Sequence, residues 1–361
     1  MKKRILHIYK SYYPDSIGGV EELIRQLILK LDKYDQDVLF FSPKGPKLIK
    51  VDKANAYRFQ PVLSLASTPL SFSALFRFGR FVKKYDILHY HIPYPFADLL
   101  HFIHRPKQKI VIYYHMEIVK QKRLLKLYQP LMRWFLKQAD AILVHSEYLT
   151  KRPFLLPHQA KTSVIPIGIA EYNDFDSTKL KAIKKSYGQY AIFTGVFRYY
   201  KGLEYLIEAF KDLNYNLVLV GNGPLFDKIK AQAGAAKNIF FQGRVSDKEK
   251  FHLIKSSEML IMPSHLKTEA FGVSQVEGLM LKKPLISCEI GTGVSFVNQH
   301  NYTGLVVKPA SAIALRQAVI KLSQDDTLRQ EYSKQAYLWY NKMFRLDKMC
   351  QKFDKLYQEL L

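Results

Sequence analysis

Apolar residues in this chain fall into short runs separated by stretches in which they recur at helical spacing. Ile5 to Tyr9 is the first run, followed by a loop ending in Gly18-Gly19. Val20, Leu23, Leu27 and Leu31 then mark one face of a helix, and Asp37 to Phe41 reads as the next strand. Ile87 to His91, Ile110 to Tyr114, Ala141 to Val144 and Ser163 to Pro166 continue the series. After Gly168 the alternation restarts. Strands are expected at Tyr190 to Thr194, Asn216 to Val220, Asn238 to Phe241, Met259 to Met262, Leu285 to Cys288 and Leu305 to Val307. Between the first two, Leu203, Leu206, Ile207 and Phe210 keep clean i, i+3, i+4, i+7 spacing. Strands alternating with helices read as parallel βαβ units, so two sets imply two α/β, Rossmann-like domains, residues 1–168 and 169–344. A hinge is expected near Pro166-Ile167-Gly168. The stretch from Leu328 to Leu361 reads as two helices, the second (about 345–361) crossing back to the first domain.

Composition narrows the class. A chain of 361 residues can build two cores, and 48% hydrophobic residues exclude disorder. Only Cys288 and Cys350 are present, so no disulfide framework is expected and a reducing cytoplasm is the simplest setting. The apolar run near the N-terminus is too short for a signal peptide, and no run reaches the length of a membrane span. The net charge of +24 is uneven: residues 1–168 carry 28 basic and 12 acidic side chains, against 27 and 19 in the remainder. Such a surplus favours an anionic partner, nucleic acid or anionic membrane. A non-enzymatic nucleic-acid binder is disfavoured, because no helix-turn-helix, zinc-finger or RNP signature is present. Two segments mix cations with apolar residues, Ser71 to Lys84 and Val119 to Gln138. They suit peripheral binding to anionic lipid at the inner face of a membrane, or else their apolar faces pack on the core while the cations stay solvated.

The densest chemistry lies between Pro263 and Pro284. Glu269 and Glu277 flank a Phe271-Gly272-Val273 turn between an apolar strand and a helix. This layout places one carboxylate on the loop and the other in the first helical turn, with backbone amides between them. It suits a ligand with hydroxyls at both ends and an anionic middle, such as a nucleotide-sugar. A plainer reading is a capping box, Ser274 with Glu277, that only satisfies helix amides. Open α/β sheets bind ligands beyond the carboxyl ends of their strands, which makes the cleft between two such sheets the default site. Gly18-Gly19, Gly195, Gly221-Asn222-Gly223, Gly243 and Gly272 all follow strands, although glycine there often serves turn geometry alone. His89 and His91, with His101 and His104 nearby, superficially suggest a metal cluster. No carboxylate or cysteine spacing completes a zinc site, and no metal is expected.

Further landmarks complete a recognisable series: Gly18-Gly19-Val20-Glu21, Tyr114-His115-Met116-Glu117-Ile118-Val119, Pro166-Ile167-Gly168-Ile169 and Lys201-Gly202-Leu203-Glu204-Tyr205-Leu206. Val220-Gly221-Asn222-Gly223-Pro224, the Glu269/Glu277 segment, Glu289-Ile290-Gly291-Thr292-Gly293 and Thr303-Gly304-Leu305-Val306-Val307 follow in order. Together they resemble glycosyltransferase family 4, retaining enzymes of the GT-B fold, with two Rossmann-like domains whose parallel sheets face across a cleft. Within that family the chain looks most like enzymes that extend bacterial surface polysaccharides such as lipopolysaccharide. The resemblance implies transfer of a hexose from a nucleotide-sugar, GDP-mannose favoured and UDP-sugars the alternative. The acceptor would be a glycan or a polyprenyl-diphosphate-linked glycan, bound by the first domain. A sugar-nucleotide epimerase or a phosphorylase of the same fold is a weaker alternative.

The resemblance also assigns roles. Lys201 and Arg198 would neutralise the leaving diphosphate, with no obligatory metal and no cofactor. The family arginine normally follows the glycine directly; here Val196 stands at that place and Arg198 comes two residues later. Glu269 would hold donor-sugar hydroxyls, beside the backbone amides of Phe271, Gly272 and Val273. Glu277 would accept from the ribose hydroxyls, and Gly243, Arg244 and Val245 would lie near the base. Gly18 and Gly19 would let backbone approach the diphosphate or acceptor. His115, at the end of a strongly apolar strand, would hydrogen-bond a donor hydroxyl or orient the reacting centre; alternatively it is a satisfied, half-buried histidine. Retention is expected through same-face departure and attack, since no nucleophilic carboxylate stands out.

Overall fold

Strands whose side chains are apolar on both faces have to be covered on both faces, which parallel sheets flanked by helices achieve. The computed structural model describes residues 2–65, 68–118 and 122–361. It forms two units, Met1–Ile167 with Leu346–Leu361, and Gly168–Arg345.

Unit 1 opens with β1 (Arg4–Ile8), α1 (Gly19–Lys30) and β2 (Asp35–Phe41). Two strands that the alternation pattern does not predict follow, β3 (Lys47–Val51) and β4 (Ala54–Phe59), then a small hairpin of β5 (Leu63–Leu65) and β6 (Thr68–Leu70). Next come α2 (Phe72–Val82), β7 (Ile87–Ile92), α3 (Pro95–His104), β8 (Lys109–Tyr114), α4 (Lys122–Gln138), β9 (Ala141–Val144), α5 (Glu147–Thr150) and β10 (Thr162–Val164). The main sheet has the order β10-β9-β8-β7-β1-β2-β4-β3, and only the β3 edge runs antiparallel. One face carries Leu6, Ile8, Leu88, Tyr90 and Ile112 against Phe78 of α2, Leu100 of α3 and Phe135 of α4. Alternation sends Ile5 and His7 of β1 and His89 and His91 of β7 to the opposite face.

Unit 2 contains α6 (Ser177–Tyr187), β11 (Tyr190–Thr194), α7 (Leu203–Phe210), β12 (Asn216–Val220), α8 (Phe226–Ala233), β13 (Ile239–Gly243) and α9 (Asp247–Ser256). It continues with β14 (Met259–Met262), α10 (Val273–Met280), β15 (Leu285–Cys288), α11 (Val294–Val297), β16 (Gly304–Val307), α12 (Ala312–Gln324) and α13 (Asp326–Met343). Its six-stranded sheet is parallel throughout, in the order β13-β12-β11-β14-β15-β16. This is the doubly wound order of dinucleotide-binding domains, with the direction of winding reversing between β11 and β14. Leu203, Leu206, Ile207 and Phe210 of α7 are all buried, as their spacing predicts.

The final helix, α14 (Leu346–Leu360), belongs to unit 1. Leu346, Met349, Cys350, Phe353 and Tyr357 form its buried stripe. Its Asp354 accepts from Tyr34 at 2.8 Å and pairs with Lys33 at 2.6 Å. Phe353 and Tyr357 cover the histidine-bearing face of the sheet, their ring centres 5.7 and 5.9 Å from that of His89. Phe353 is fully buried, so Phe353→Ala is expected to destabilise unit 1 by about 4 kcal/mol in chemical denaturation. A loss under about 1 kcal/mol would contradict this packing of α14.

Candidate functional site

The carboxyl end of β11 leads into Gly195 and a short 3-10 turn, Tyr199–Lys201. Gly202 closes the turn with φ 65°, and a Cβ there would lie 2.2 Å from the Pro263 carbonyl oxygen. Only glycine lets this turn sit against the end of β14. The His265 N–H donates to the Tyr200 carbonyl at 3.0 Å and ties the two loops together. Lys201 Nζ thereby reaches Glu269 Oε2 at 2.5 Å, and the Ser264 hydroxyl donates to the same oxygen at 3.2 Å. The ion pair spans β11 and β14, the place where a doubly wound sheet opens a crevice. Both side chains are nearly covered, 11% and 12% exposed. Burial works against the Lys201 charge, yet the Glu269 carboxylate more than offsets it and holds the ammonium above its ordinary value. Lys201 is therefore a fixed cation, and Arg198 adds positive potential beside it.

A second pair is built from neighbouring helices. Lys250 of α9 donates to Glu277 of α10 at 2.7 Å and to Asp247 at 2.9 Å. Burial opposes the Lys250 charge, but Glu277 and then Asp247 raise its pKa above the ordinary lysine value. Lys250 carries no motif in the sequence; only a charge partner for Glu277 would have pointed to it. The capping box does not form. Gly272, with φ 80°, is the residue before α10, and no side chain caps the helix. Ser274 instead lies inside the first turn with its hydroxyl 3.8 Å from Met262 Sδ. Helix α10 begins at Val273, so Glu277 stands in its second turn rather than the first. In the first turn of α10 the Gln275 amide donates to the Gly272 carbonyl at 2.9 Å, and the amides before it precede any carbonyl the helix can offer them.

Other predicted residues lie on the adjoining strand ends. Gly243 ends β13 with φ 63°, while Arg244 is exposed and Val245 half-buried. Arg198 is exposed and has no carboxylate partner among the described residues. Phe271 buries its side chain against Phe344, ring centres 6.0 Å apart, and its carbonyl accepts from Gln275 Nε2 at 3.4 Å. A Cβ on Gly221 would come within 1.9 Å of the Gly195 carbonyl oxygen, so the loops after β11 and β12 also meet backbone to backbone.

Comparison with known proteins gives the family and the fold. Residues 17–171 match the model described as Glycosyltransferase Family 4, and residues 175–339 match Glycosyl transferases group 1. The chain is 39% identical to the O-antigen chain mannosyltransferase C of Escherichia coli, over 99% of both chains. This chain belongs to glycosyltransferase family 4. The transferase is also 38% identical to the D-rhamnosyltransferase WbpZ of Pseudomonas aeruginosa, over 94% of this chain and 92% of that one. Its fold matches the crystal structure of Anabaena HepE in complex with UDP and glucose, with a TM-score of 0.78 at 15% identity over 99% and 100% of the two chains. The fold is GT-B.

Unit 1 of the transferase carries the remaining candidates. Gly18 precedes α1 and Gly19 opens it. A Cβ on Gly18 would meet Glu21 Oε2 at 2.7 Å, and buried Glu21 accepts from Ser11 and Ser16 at 2.8 Å each. Glu21 thus holds the glycine loop closed around its own carboxylate. His115 follows β8 and is only 4% exposed, so it is buried rather than half-buried. Its ring stacks on His91, centres 5.2 Å apart, and its carbonyl accepts from His145 Nε2 at 2.7 Å. Burial, with the neighbouring His145 adding to it, keeps His115 well below the ordinary histidine pKa and therefore neutral at pH 7. Glu117 pairs with Arg152, a partner the sequence did not reveal. Val119 lies outside the described residues.

The suspected histidine cluster divides. His89 and His91 share a face, but it is His7 that joins them. His101 bonds Tyr90 and His104 bonds the Leu75 carbonyl, each away from that group. Among the site residues, the covered ion pair gives the clearest energetic expectation. Lys201→Met leaves the Glu269 carboxylate buried without its cation and is expected to cost about 3 kcal/mol of stability. Adding Glu269→Gln should recover most of that loss, measured by chemical denaturation of the single and double variants without ligand. Equal stability of Lys201→Met and wild type would show that the pair is not formed.

Proposed function

We propose that the transferase moves a mannose-type hexose from a nucleotide-sugar, GDP-mannose first among candidates, with retention of anomeric configuration. The acceptor is a glycan or a polyprenyl-diphosphate-linked glycan in bacterial surface-polysaccharide synthesis of the O-antigen kind. The observation that carries this reading is the covered Lys201–Glu269 pair at the β11/β14 switch point, with Glu277 on the next helix. The sugar class is supported by the two named relatives, a mannosyltransferase and a D-rhamnosyltransferase. D-rhamnose is D-mannose without the 6-hydroxyl, so both descriptions point to the same ring configuration.

In this mechanism Lys201 and Arg198 take up the negative charge that grows on the leaving diphosphate, helped by the opening amides of α10. Glu269 accepts from donor-sugar hydroxyls and Glu277 from the ribose, each carboxylate rejecting ligands that lack those donors. Gly243, Arg244 and Val245 border the base, while Gly18 and Gly19 admit backbone close to the diphosphate or acceptor. In unit 1, His115 bonds a donor-sugar hydroxyl. The bond from the anomeric carbon to phosphate oxygen breaks as the acceptor oxygen attacks on the same face, and the departing phosphate takes the acceptor proton. The fixed cations serve the leaving group without a metal or cofactor, so activity should persist in EDTA.

Glu277→Ala is expected to weaken GDP-mannose binding about 10- to 100-fold in titration calorimetry. Lys201→Ala is expected to lower kcat about 100-fold with a smaller change in KM, on protein shown to be folded. Turnover of UDP-sugars in place of GDP-mannose would replace the donor assignment, and unchanged kinetics in both variants would remove the site.

The same reading places the transferase at the cytoplasmic face of an anionic membrane. No helix is long and apolar enough to cross a membrane among the described residues. The core-packing alternative holds for part of each basic segment: Ala74, Phe78 and Val82 of α2, and Met132, Phe135 and Leu136 of α4, are buried. Phe72 and Phe76, one turn apart, nevertheless remain 63% and 80% exposed, and Leu124 and Leu127 remain 46% and 80% exposed. Arg77, Arg80, Lys83, Lys84 and Lys126 are exposed alongside them. Residues 119–121 of the second segment lie outside the described residues. Apolar tips among cations are the composition that enters a headgroup layer, each cation adding about 1 kcal/mol near anionic lipid. Salt-sensitive sedimentation with phosphatidylglycerol vesicles is expected, weakened by Phe76→Ser with Leu127→Ser. Equal recovery with purely zwitterionic vesicles would remove the membrane assignment.

A further inference from the structure

Three histidines and one glutamine form a continuous hydrogen-bonded row inside unit 1, and its direction can be read. Gln36 of β2 donates through Nε2 to the carbonyls of Leu27, in the last turn of α1, and of Leu31, just past it, both at 3.0 Å. The amide is thereby oriented with Oε1 towards His7, since the flipped amide would set oxygen against two carbonyls. Oε1 lies 3.0 Å from His7 Nε2. A carbonyl oxygen only accepts, so His7 carries its proton on Nε2. A neutral imidazole has a single N–H, which leaves His7 Nδ1 as an acceptor. That nitrogen is 3.1 Å from His91 Nε2, which must then be the donor. His91 Nδ1 is left as an acceptor and lies 3.0 Å from His115 Nε2. His115 therefore holds its proton on Nε2, and its buried Nδ1 has no hydrogen-bond partner among the described residues.

We propose that Gln36, His7 and His91 are positioning residues that fix His115 in the Nε2–H tautomer, offering the bare Nδ1 as an acceptor for a hydroxyl of the donor sugar. The inference rests on the reading of His115 given above and adds what determines its chemistry. The row ends at the right place: His115 lies just past the carboxyl end of β8, where α/β sheets present their ligands. The neutral state required at each step suits the surroundings. The exposures of His7, His91 and His115 are 0%, 0% and 4%. Burial lowers His7 to about 4, against smaller raising effects of Gln36 and Asp37, and holds His91 well below its ordinary value.

The rival use of these rings is a metal site, because one nitrogen from each of His7, His89 and His91 lies within 4.8 Å of the others. His89 Nδ1 is 2.7 Å from the Tyr357 hydroxyl, and its Nε2 has no hydrogen-bond partner among the described residues. A metal on this trio would compete for the lone pair that His7 Nδ1 gives to His91. The hydrogen-bonded row and the metal are thus alternatives in one place.

Nitrogen-15 NMR of the full chain labelled at histidine reads each tautomer directly. The expected spectrum has His7, His91 and His115 each protonated on Nε2 and bare on Nδ1. A proton on Nδ1 of His115, averaged tautomers, or one equivalent of zinc retained after purification would each overturn the proposal. Two variants keep it falsifiable through kinetics. His91→Gln still offers a carbonyl oxygen to His115 Nε2–H and an amide N–H to His7 Nδ1, whereas His91→Leu offers neither. With GDP-mannose as donor, kcat is expected to fall about 10-fold in His91→Leu with KM within about 2-fold, and His91→Gln should recover most of the loss. Equal loss in both variants would reduce the row to core packing and overturn the positioning role. His115→Ala separates the two readings. Wild-type turnover there removes the role of His115 and with it the link to catalysis. An inactive His115→Ala beside a wild-type His115 protonated on Nδ1 leaves the function standing and removes the row.

Discussion

A parallel sheet covered by helices on both faces leaves its strand ends as the place where charge can stand at low cost, and this constraint organises the transferase. In unit 2 every residue of β11, β14 and β15 is buried. Ionic groups are displaced to the loops and helices beyond the carboxyl ends. The charges there are still nearly covered, as in Lys201 with Glu269 and Lys250 with Glu277. A covered cation keeps its charge only beside a carboxylate, because desolvation alone would drive it neutral. Each pair is thus a stored, oriented charge. An anionic ligand arriving at Lys201 would replace one negative partner by another without a new desolvation of the ammonium, which is the condition for effective electrostatic preorganisation.

Backbone contact fixes where those charges point. Gly202 against the Pro263 carbonyl and Gly221 against the Gly195 carbonyl bring adjacent loops closer than any side chain permits. A long, flexible lysine reaches Glu269 reproducibly because its turn is clamped at both ends, by Gly202 and by the His265 bond to Tyr200. Glu269 and Ser264 share the loop on the other side of the switch point. The ion pair is therefore a product of loop packing, with Coulomb attraction holding a geometry that the glycines make accessible.

Much of this was legible in the sequence. Buried parallel strands announce themselves as short apolar runs, and Tyr190–Thr194, Asn216–Val220, Met259–Met262 and Leu285–Cys288 have the limits their composition predicts. The edge strand β3 and its neighbour β4 were not legible. Lys47, Leu48 and Lys50 of β3 are exposed, so this edge carries no apolar signature. The start of α10 was misplaced because S-x-x-E mimics a capping box, whereas Gly272 in the left-handed region sets the true boundary. Lys250 was invisible for a different reason: its partner is 27 residues away on another helix, and no local pattern encodes that distance. The histidine row fails to show for the same cause. His7 lies 84 residues from His91, and parallel pairing of β1 with β7 alone brings them together.

Those histidines also depart from the rule that sheet faces are apolar. Replacing a buried polar group and its partner by well-packed hydrocarbon is commonly neutral or stabilising, so stability gives no reason to keep three imidazoles on adjacent strands. Apolar side chains in their place would still let Phe353 and Tyr357 of α14 cover the face. What hydrocarbon cannot supply is direction. A row of donors and acceptors anchored on the carbonyls of Leu27 and Leu31 has a single sense once Gln36 is oriented. That sense passes from ring to ring to the strand end where His115 lies. The fold thereby converts the carbonyls of Leu27 and Leu31 at the end of α1, which also accept backbone N–H groups from Leu31 at 2.9 Å and Tyr34 at 3.2 Å, into the protonation pattern of a side chain three strands away in the sheet, β2 to β1 to β7 to β8.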